Sequence, residues 1–307
     1  MNSLVSVPSR QQGIILLVLF IVVFFATASI FLTIVSNNVI DQRGSTNTIE
    51  ALRDTKDALI AYAVLHGDYY GAAGAGPGHL PCPDTNNNGL ENSPCVTAIG
   101  RLPISITLPS AAMFPLSAYD SGVDQQIWYA LSDAFRRNPT GVVNTTTTGN
   151  ITVDGQTGIA AVIMFPDEAL VSQTRPNNNV ANYLESGNAV GTAFVSNNPA
   201  NPDNFNDQVL AISINEIMSP VTARIAETIK IQLDIYHGVN GNYPPDQTEF
   251  NTAMGGAPAW FASNNWAANT TYTQLTPDTG SVLFTGCNIT YTLDVAVISV
   301  AKTSSFC

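Results

Sequence analysis

The chain has 307 residues, 11 Lys+Arg against 23 Asp+Glu, a net charge of −12, a sequence pI near 4.4 and only 11% charged residues. Acidic, unclustered charge excludes a nucleic-acid surface, which needs a basic patch, and the low charge with ample apolar residues excludes a disordered polyelectrolyte. The polar surface must be made of Asn, Thr, Ser and Gln, a composition typical of exported surfaces.

Residues 14–35 read IILLVLFIVVFFATASIFLTIV, with no charge. As a helix this run is about 33 Å long, enough to span a hydrocarbon core. No second apolar run is long enough to span, so a polytopic membrane protein is excluded. A secretory signal peptide competes, with an A-x-A site at Ala26–Ala28. Cleavage there would leave Ile30-Phe-Leu-Thr-Ile-Val35 at the start of a soluble protein. An uncleaved anchor is the other plain reading. Arg10 on one side and Arg43 beside Asp41 on the other barely decide its orientation.

Arg10-Gln-Gln-Gly13 followed by Ile14 and an apolar helix resembles the class III signal of type IV pilins and type II secretion pseudopilins. The resemblance implies that a prepilin peptidase cuts between Gly13 and Ile14 and that the new N-terminal residue is methylated. It also implies that the helix sits in the inner membrane and later packs against other pilins as a filament core. The family usually carries Glu at the fifth mature position; here that position is Val18. A carboxylate buried in an apolar helix needs a partner, which in the family is the amine of the subunit above. A subunit without it is similar to the K-type minor pseudopilin, which sits at the tip.

From Asn37 to Tyr62 there is no Pro and one Gly, Gly44. Ile49, Leu52, Leu59, Tyr62, Ala63 and His66 follow a 3.6-residue stripe, with Glu50, Arg53, Asp54, Lys56 and Asp57 around it. The spacing predicts that the membrane helix continues to about His66, roughly 80 Å in all at 1.5 Å per residue. An anchor, a hinge near Gly44 and a separate amphipathic helix would give almost the same pattern.

Residues 71–78, GAAGAGPG, read as a flexible linker, and 79–95 as a turn-rich loop. An extended stretch opens at Gly100–Pro103. Asp124–Arg137 reads as a helix, with Ile127, Leu131 and Phe135 spaced by four. The Asn/Thr/Gly-rich 138–157 reads as an exposed hairpin or loop. Gly158–Phe165 reads as a buried strand, 173–206 as long surface loops, and Val209–Ser213 as a short strand. A helix is predicted over about Ile214–His237, with Val221, Ile225, Ile229, Leu233 and Tyr236 on its apolar face. Pro220 fits its first turn and Gly238 its C′ position. Val282–Phe284, Ile289–Tyr291 and Leu293–Val300 read as terminal strands.

Ala58-Leu-Ile-Ala-Tyr62 leads to Leu80-Pro-Cys-Pro-Asp84, and Ile231-Gln-Leu-Asp-Ile-Tyr236 leads to Gly241-Asn-Tyr-Pro-Pro-Asp246. Duplication of a helix-plus-sheet unit and coincidence both explain the echo. The second copy resembles the GxYP element of pseudopilins. Ala58–Ala63, Leu80–Asp84, Trp128–Ser132 and Asn206–Ser213 resemble segments of large pilin-like proteins.

Four cysteines, Cys82, Cys95, Cys287 and Cys307, lie outside the apolar run. In an oxidising compartment they are expected to pair, in one of three ways. Cys82–Cys95 and Cys287–Cys307 are favoured because each closes a short local loop. Zinc on His79, Cys82, Cys95 and His66 competes, with a spacing that matches no strong zinc pattern. Asp84-Thr-Asn86-Asn-Asn88-Gly89 matches the first half of a calcium loop. Asp84, Asn86, Asn88, the Leu90 carbonyl and Glu91 are therefore the candidate ligands, and calcium the one candidate cofactor. Position 12 is Cys95, so the usual bidentate Glu is missing. Against this stands an Asn/Gly turn under a disulfide. Asp167/Glu168 read as an acid pair or a helix cap, and Trp260, Phe261 and Trp266 as a binding patch or as core. His237 fits a helix C-terminus. No catalytic motif is present, so an enzyme is not expected.

The expected fold class is α+β: a long membrane-spanning N-terminal helix continuing into a large pilin-like head with an antiparallel sheet and additional helices. The expected parts are a leader (1–13), a membrane helix (14–35), its amphipathic continuation (36–66), and a head in two parts (67–213 and 214–307). The resemblance implies a minor pilin or pseudopilin, acting in assembly or at the tip of a type II secretion pseudopilus or type IV pilus. Its implied location is the inner membrane, single-pass, with the N-terminus cytoplasmic and the C-terminal domain periplasmic. Its implied partners are other pilins, the prepilin peptidase and the inner membrane, with no nucleic acid. The alternatives are a pilus-tip adhesin, or a membrane-anchored periplasmic protein of other function.

Overall fold

The computed structural model describes residues 48–70, 76–108, 113–116, 126–137, 141–196, 204–297 and, for the backbone alone, 301–302. The expected leader and membrane helix, with Gly13 and Ile14, lie outside the described residues. Among the described residues no helix is long and apolar enough to cross a membrane. The chain divides into two units, 1–50 and 51–307. Of the first, only residues 48–50 are described, and they are helical.

The second unit is mixed α+β. It opens within helix α1, which covers 48–70 and so runs one turn past the expected end at His66. Leu52, Thr55, Leu59, Tyr62, Ala63 and His66 are buried, which is the predicted stripe with Thr55 added. Ile49, also predicted in the stripe, is 41% exposed. Full burial of a Leu such as Leu59 stabilises by roughly 1.5–3 kcal/mol. Polar contacts fix α1 along its length. The Lys56 ammonium donates to the Ala211 carbonyl at 2.9 Å and pairs with Glu216, and Asp68 pairs with Arg224 at 2.7 Å.

The expected linker is corrected where it is described. Residues 76–78 are buried, and the Gly78 N–H donates to the Ala63 carbonyl at 2.7 Å. Gly78 has φ +105°, and a Cβ there would lie 2.4 Å from Val143 Cγ1. Glycine serves here for close packing in a left-handed conformation, not for flexibility.

The strands follow in chain order: β1 (Ile99–Arg101), β2 (Ser105–Thr107), β3 (Met113–Pro115), β4 (Trp128–Leu131), β5 (Ile151–Val153), β6 (Gln156–Phe165), β7 (Ala193–Phe194) and β8 (Gln208–Ser213). β2 and β3 form an antiparallel pair, and the others form one sheet in the order β1-β4-β6-β5-β7, with β8 against β6. All its pairings are antiparallel except β5 with β7. The predicted helix over Asp124–Arg137 is overturned: Trp128–Leu131 is strand, followed by a 3-10 turn at Asp133–Phe135. All four β4 residues are buried between two neighbouring strands. The spacing of Ile127, Leu131 and Phe135 suits a helix, but a sheet centre imposed its own period.

Both faces of this sheet are covered, as a near-continuous apolar strand such as β6 requires. Tyr129, Leu131, Ala161, Ile163 and Phe165 face the main core, whereas Trp128, Ala130, Val162 and Met164 face a second apolar cluster. Tyr183, Leu184 and Phe194 complete that second cluster. Part of the expected surface loop 173–206 therefore covers the sheet. Val143, Asn144 and Thr145 are likewise buried, although 138–157 reads as exposed.

Helix α2 (Ile214–Asn240) starts where predicted, with Ser213 and Glu216 forming a capping box. Pro220 lies in its second turn rather than its first. The helix runs past Gly238 and ends at Gly241 in the left-handed conformation (φ 75°). Helices α3 (Gln247–Ala253) and α4 (Ala259–Ser263) precede a second antiparallel sheet of β9 (Thr270–Thr276), β10 (Thr279–Phe284), β11 (Ile289–Asp294) and β12 (Ala301–Lys302), ordered β12-β11-β10-β9. Leu293, predicted to begin a separate strand, belongs to β11. One core joins residues from Leu52 in α1 through Ile225 in α2 to Leu293 in β11.

Candidate functional site

Cys82 and Cys95 form the expected disulfide, with Cα atoms 5.1 Å apart. This corrects the zinc reading, because both sulfurs are consumed. Cys287 is buried, and its expected partner Cys307 lies outside the described residues.

Within the disulfide loop, Asp84 is 1% exposed and caps its own turn. Its Oδ1 accepts the N–H groups of Asn86 and Asn87 at 3.0 and 2.7 Å, and its Oδ2 accepts that of Gly89 at 2.7 Å. The side chains of Asn86 and Asn88 accept the N–H groups of Asn88 and Leu90. Asn87 and Gly89 take positive φ, 60° and 79°. Asp84, Asn86, Asn88 and Leu90 thus share one turn that already satisfies its backbone donors. Glu91 is placed differently: its carboxylate pairs with Arg137 and accepts the Cys82 N–H at 3.1 Å. The turn itself offers one carboxylate with amide and carbonyl oxygens, a set that lacks the bidentate carboxylate of a full calcium loop. Among the described residues no group of three or more His, Cys, Asp or Glu is placed to hold a metal.

Beneath this loop lies a buried polar cluster that binds it to α1. The Arg137 guanidinium stands 4.6 Å over the Tyr70 ring. The Tyr70 hydroxyl is 3.5 Å from that of Tyr62, which donates to it. His66 stacks on Tyr70 at 4.6 Å and lies 5.3 Å from His79. Both histidines set Nδ1 against the Gly76 carbonyl, at 3.1 and 2.8 Å, and His79 sets Nε2 against the Gly141 carbonyl at 3.0 Å.

Electrostatics follow from burial. Desolvation, reinforced by Glu91, pushes the Tyr62 and Tyr129 hydroxyls well above the ordinary tyrosine range. Desolvation lowers the His79 pKa against the pull of its two carbonyl partners. Burial works against the Arg137 charge too, but Glu91 and the two tyrosines hold its pKa above the ordinary value. Burial thus disfavours the tyrosinate at Tyr62 and Tyr129 and the imidazolium at His79, while Arg137 keeps its charge.

The remaining sequence candidates separate. Asp167 and Glu168 precede no helix, which corrects the cap reading; Asp167 Oδ1 instead accepts the Glu168 N–H. Trp260, Phe261 and Trp266 are at most 2% exposed, so they are core and not a surface patch. His237 lies in the last turn of α2, with Nε2 2.8 Å from Asp278. Two clusters escaped the sequence. One is Glu91–Arg137; the Arg136-Arg137 pair, in a chain with 11 cations, was its only signal. The other is the buried carboxyl pair Glu185 and Asp207. Asp207 Oδ2 accepts the Glu185 N–H at 3.0 Å and the Asn188 side chain at 2.8 Å. Burial and the Glu185 carboxylate push Asp207 up to about 8. Comparison with protein families, curated proteins and solved structures returns no match.

Proposed function

We propose that this chain is a minor pilin or pseudopilin subunit. Residues 14–35 hold it in the inner membrane, with the N-terminus cytoplasmic and the head periplasmic. It acts in assembly or at the tip of a type II secretion pseudopilus or a type IV pilus. The observation that carries this reading is the Arg10-Gln-Gln-Gly13 signal before Ile14 and a charge-free run. Two features support it. A helix over 48–70 gives its buried stripe to the head core, and a disulfide at Cys82–Cys95 suits an oxidising compartment. The mechanism is mechanical: prepilin peptidase removes the leader, the apolar helix leaves the bilayer, and it packs against the helices of other pilins. Within residues 51–307, the cluster of Tyr62, Tyr70, Arg137 and Glu91 joins α1 to the disulfide loop.

The adhesin reading loses half of its basis, since the aromatic patch is buried. The test is co-expression with a prepilin peptidase and determination of the mature N-terminus. A start at Ile14 is expected; an intact Met1 or a start at Ser29 would overturn the reading.

A further inference from the structure

Arg101 lies in β1 with Trp128 directly opposite in β4. It is 3% exposed, and Trp128 is 2% exposed. The guanidinium carbon is 4.9 Å from the Trp128 ring and 5.3 Å from that of Tyr183, and Arg175 stands 4.9 Å over the same Tyr183 ring. Two guanidiniums thus meet on one aromatic platform in a chain of net charge −12. Among the described residues no carboxylate pairs with Arg101. Its Nη1 donates to Asn178 Oδ1 at 3.1 Å and its Nη2 to the Asn177 carbonyl at 2.5 Å. The Arg101 Nε–H and the Trp128 indole N–H are both buried without a hydrogen-bond partner.

Buried charges are normally paired and buried donors satisfied. Stacking on two rings offsets part of the cost, but it leaves the charge uncompensated and two donors unmet. All these unmet requirements are for negative charge and acceptor oxygens. The two oxygens that do reach the guanidinium are neutral, and both come from the loop 174–179, where Asn178 is exposed. They occupy the fork as the two oxygens of a carboxylate would.

We propose that Arg101, Trp128 and the loop 174–179 form a binding site for a small carboxylate-bearing ligand, whose oxygens displace those of Asn177 and Asn178. The carboxylate oxygens take the Nη1–H and Nη2–H that Asn178 and Asn177 now hold, and the Arg101 Nε–H and the Trp128 indole N–H are the further donors at the site. Tyr183 and Arg175 form the wall, and the Asn-rich loop lifts to admit the ligand.

The test uses the ¹⁵N-labelled full chain in detergent micelles and follows the Trp128 indole N–H resonance, identified by its loss in Trp128→Phe. The protein is titrated with sodium acetate, and with acetamide and sodium chloride as controls of equal shape and equal ionic strength. A saturable shift with acetate is expected, with a Kd on the order of 1–10 mM, and none with either control. Arg101→Lys keeps the charge but loses the fork and should weaken acetate at least about tenfold. Absence of a saturable acetate shift, an equal response to chloride or acetamide, or unchanged affinity in Arg101→Lys would overturn the site. If Arg101→Lys does not fold, Asn178→Ala decides, because it removes only an exposed competing oxygen. It should tighten acetate severalfold, and unchanged affinity there would equally overturn the proposal.

Discussion

Single residues carry the join between the disulfide loop and α1. The Glu91 and Arg137 side chains are 8% and 19% exposed, so each charge depends on the other. Breaking a buried pair by removing one partner leaves an uncompensated charge, at a cost of about 3 kcal/mol. Arg137→Ala should therefore lower the urea midpoint by about that much of stability. Exchanging both residues together for apolar ones of similar size should cost less. A loss below about 1 kcal/mol in Arg137→Ala would show that the pair does not hold the loop. The pairing was illegible in sequence, because the two residues are 46 positions apart and nothing local distinguishes Glu91 from a ligand of the Asp84 turn. The turn itself was legible. Asp84, Asn86, Asn88 and Gly89 form it through bonds spanning five residues or fewer.

At the scale of elements, the long helices α1 and α2 and the strands β6, β8, β10 and β11 were legible, and the short helices α3 and α4 and the strand β4 were not. The stripe of α1 and the face of α2 recur often enough to identify each helix. The boundaries of α2 slipped at Pro220 and Gly238, since packing tolerates both within a helix of 27 residues. β4, with four residues, is too short for its own periodicity to outvote the flanking positions. Edges are managed by side chains. Gln247 Oε1 accepts the Tyr272 N–H on β9 at 2.8 Å, and Lys56 takes the Ala211 carbonyl on β8. Both devices block strand addition. The glycines at 76–78 show the largest difference in meaning. Gly78→Ala would force a side chain into a left-handed conformation and against Val143, costing about 2–3 kcal/mol. Thermal unfolding checks this, since a flexible linker would be indifferent to the change.

For the whole molecule, stability depends on pH through groups buried in opposite senses. Asp207 has an ordinary value of 3.8 and is pushed up to about 8. The folded chain therefore keeps a proton that the unfolded chain releases. Its contribution is full below about pH 4 and is lost as pH rises through about 8. His79 is shifted down by burial, so its contribution is present above the ordinary histidine value and fades as pH falls below it. Between pH 6 and 9 the Asp207 effect should dominate, lowering the melting temperature by roughly 5–10 °C for a unit of this size. Asp207→Asn should flatten that decline, and an unchanged slope would remove Asp207 as its cause. By itself the sequence determined the α+β class, the two long amphipathic helices, the buried strand β6 and the Asp84 turn, and it favoured the Cys82–Cys95 pairing. All of these rest on local periodicity, short spacing or turn chemistry. Only the tertiary structure decided that α1, α2 and both sheets share one core, that the Asn-rich segment covers the second face of the first sheet, and that Glu91 meets Arg137, Arg101 meets Trp128 and Glu185 meets Asp207. Those meetings join residues 22 to 46 positions apart, and buried charges are sorted into pairs by the closure of the fold, which leaves no local mark in a chain.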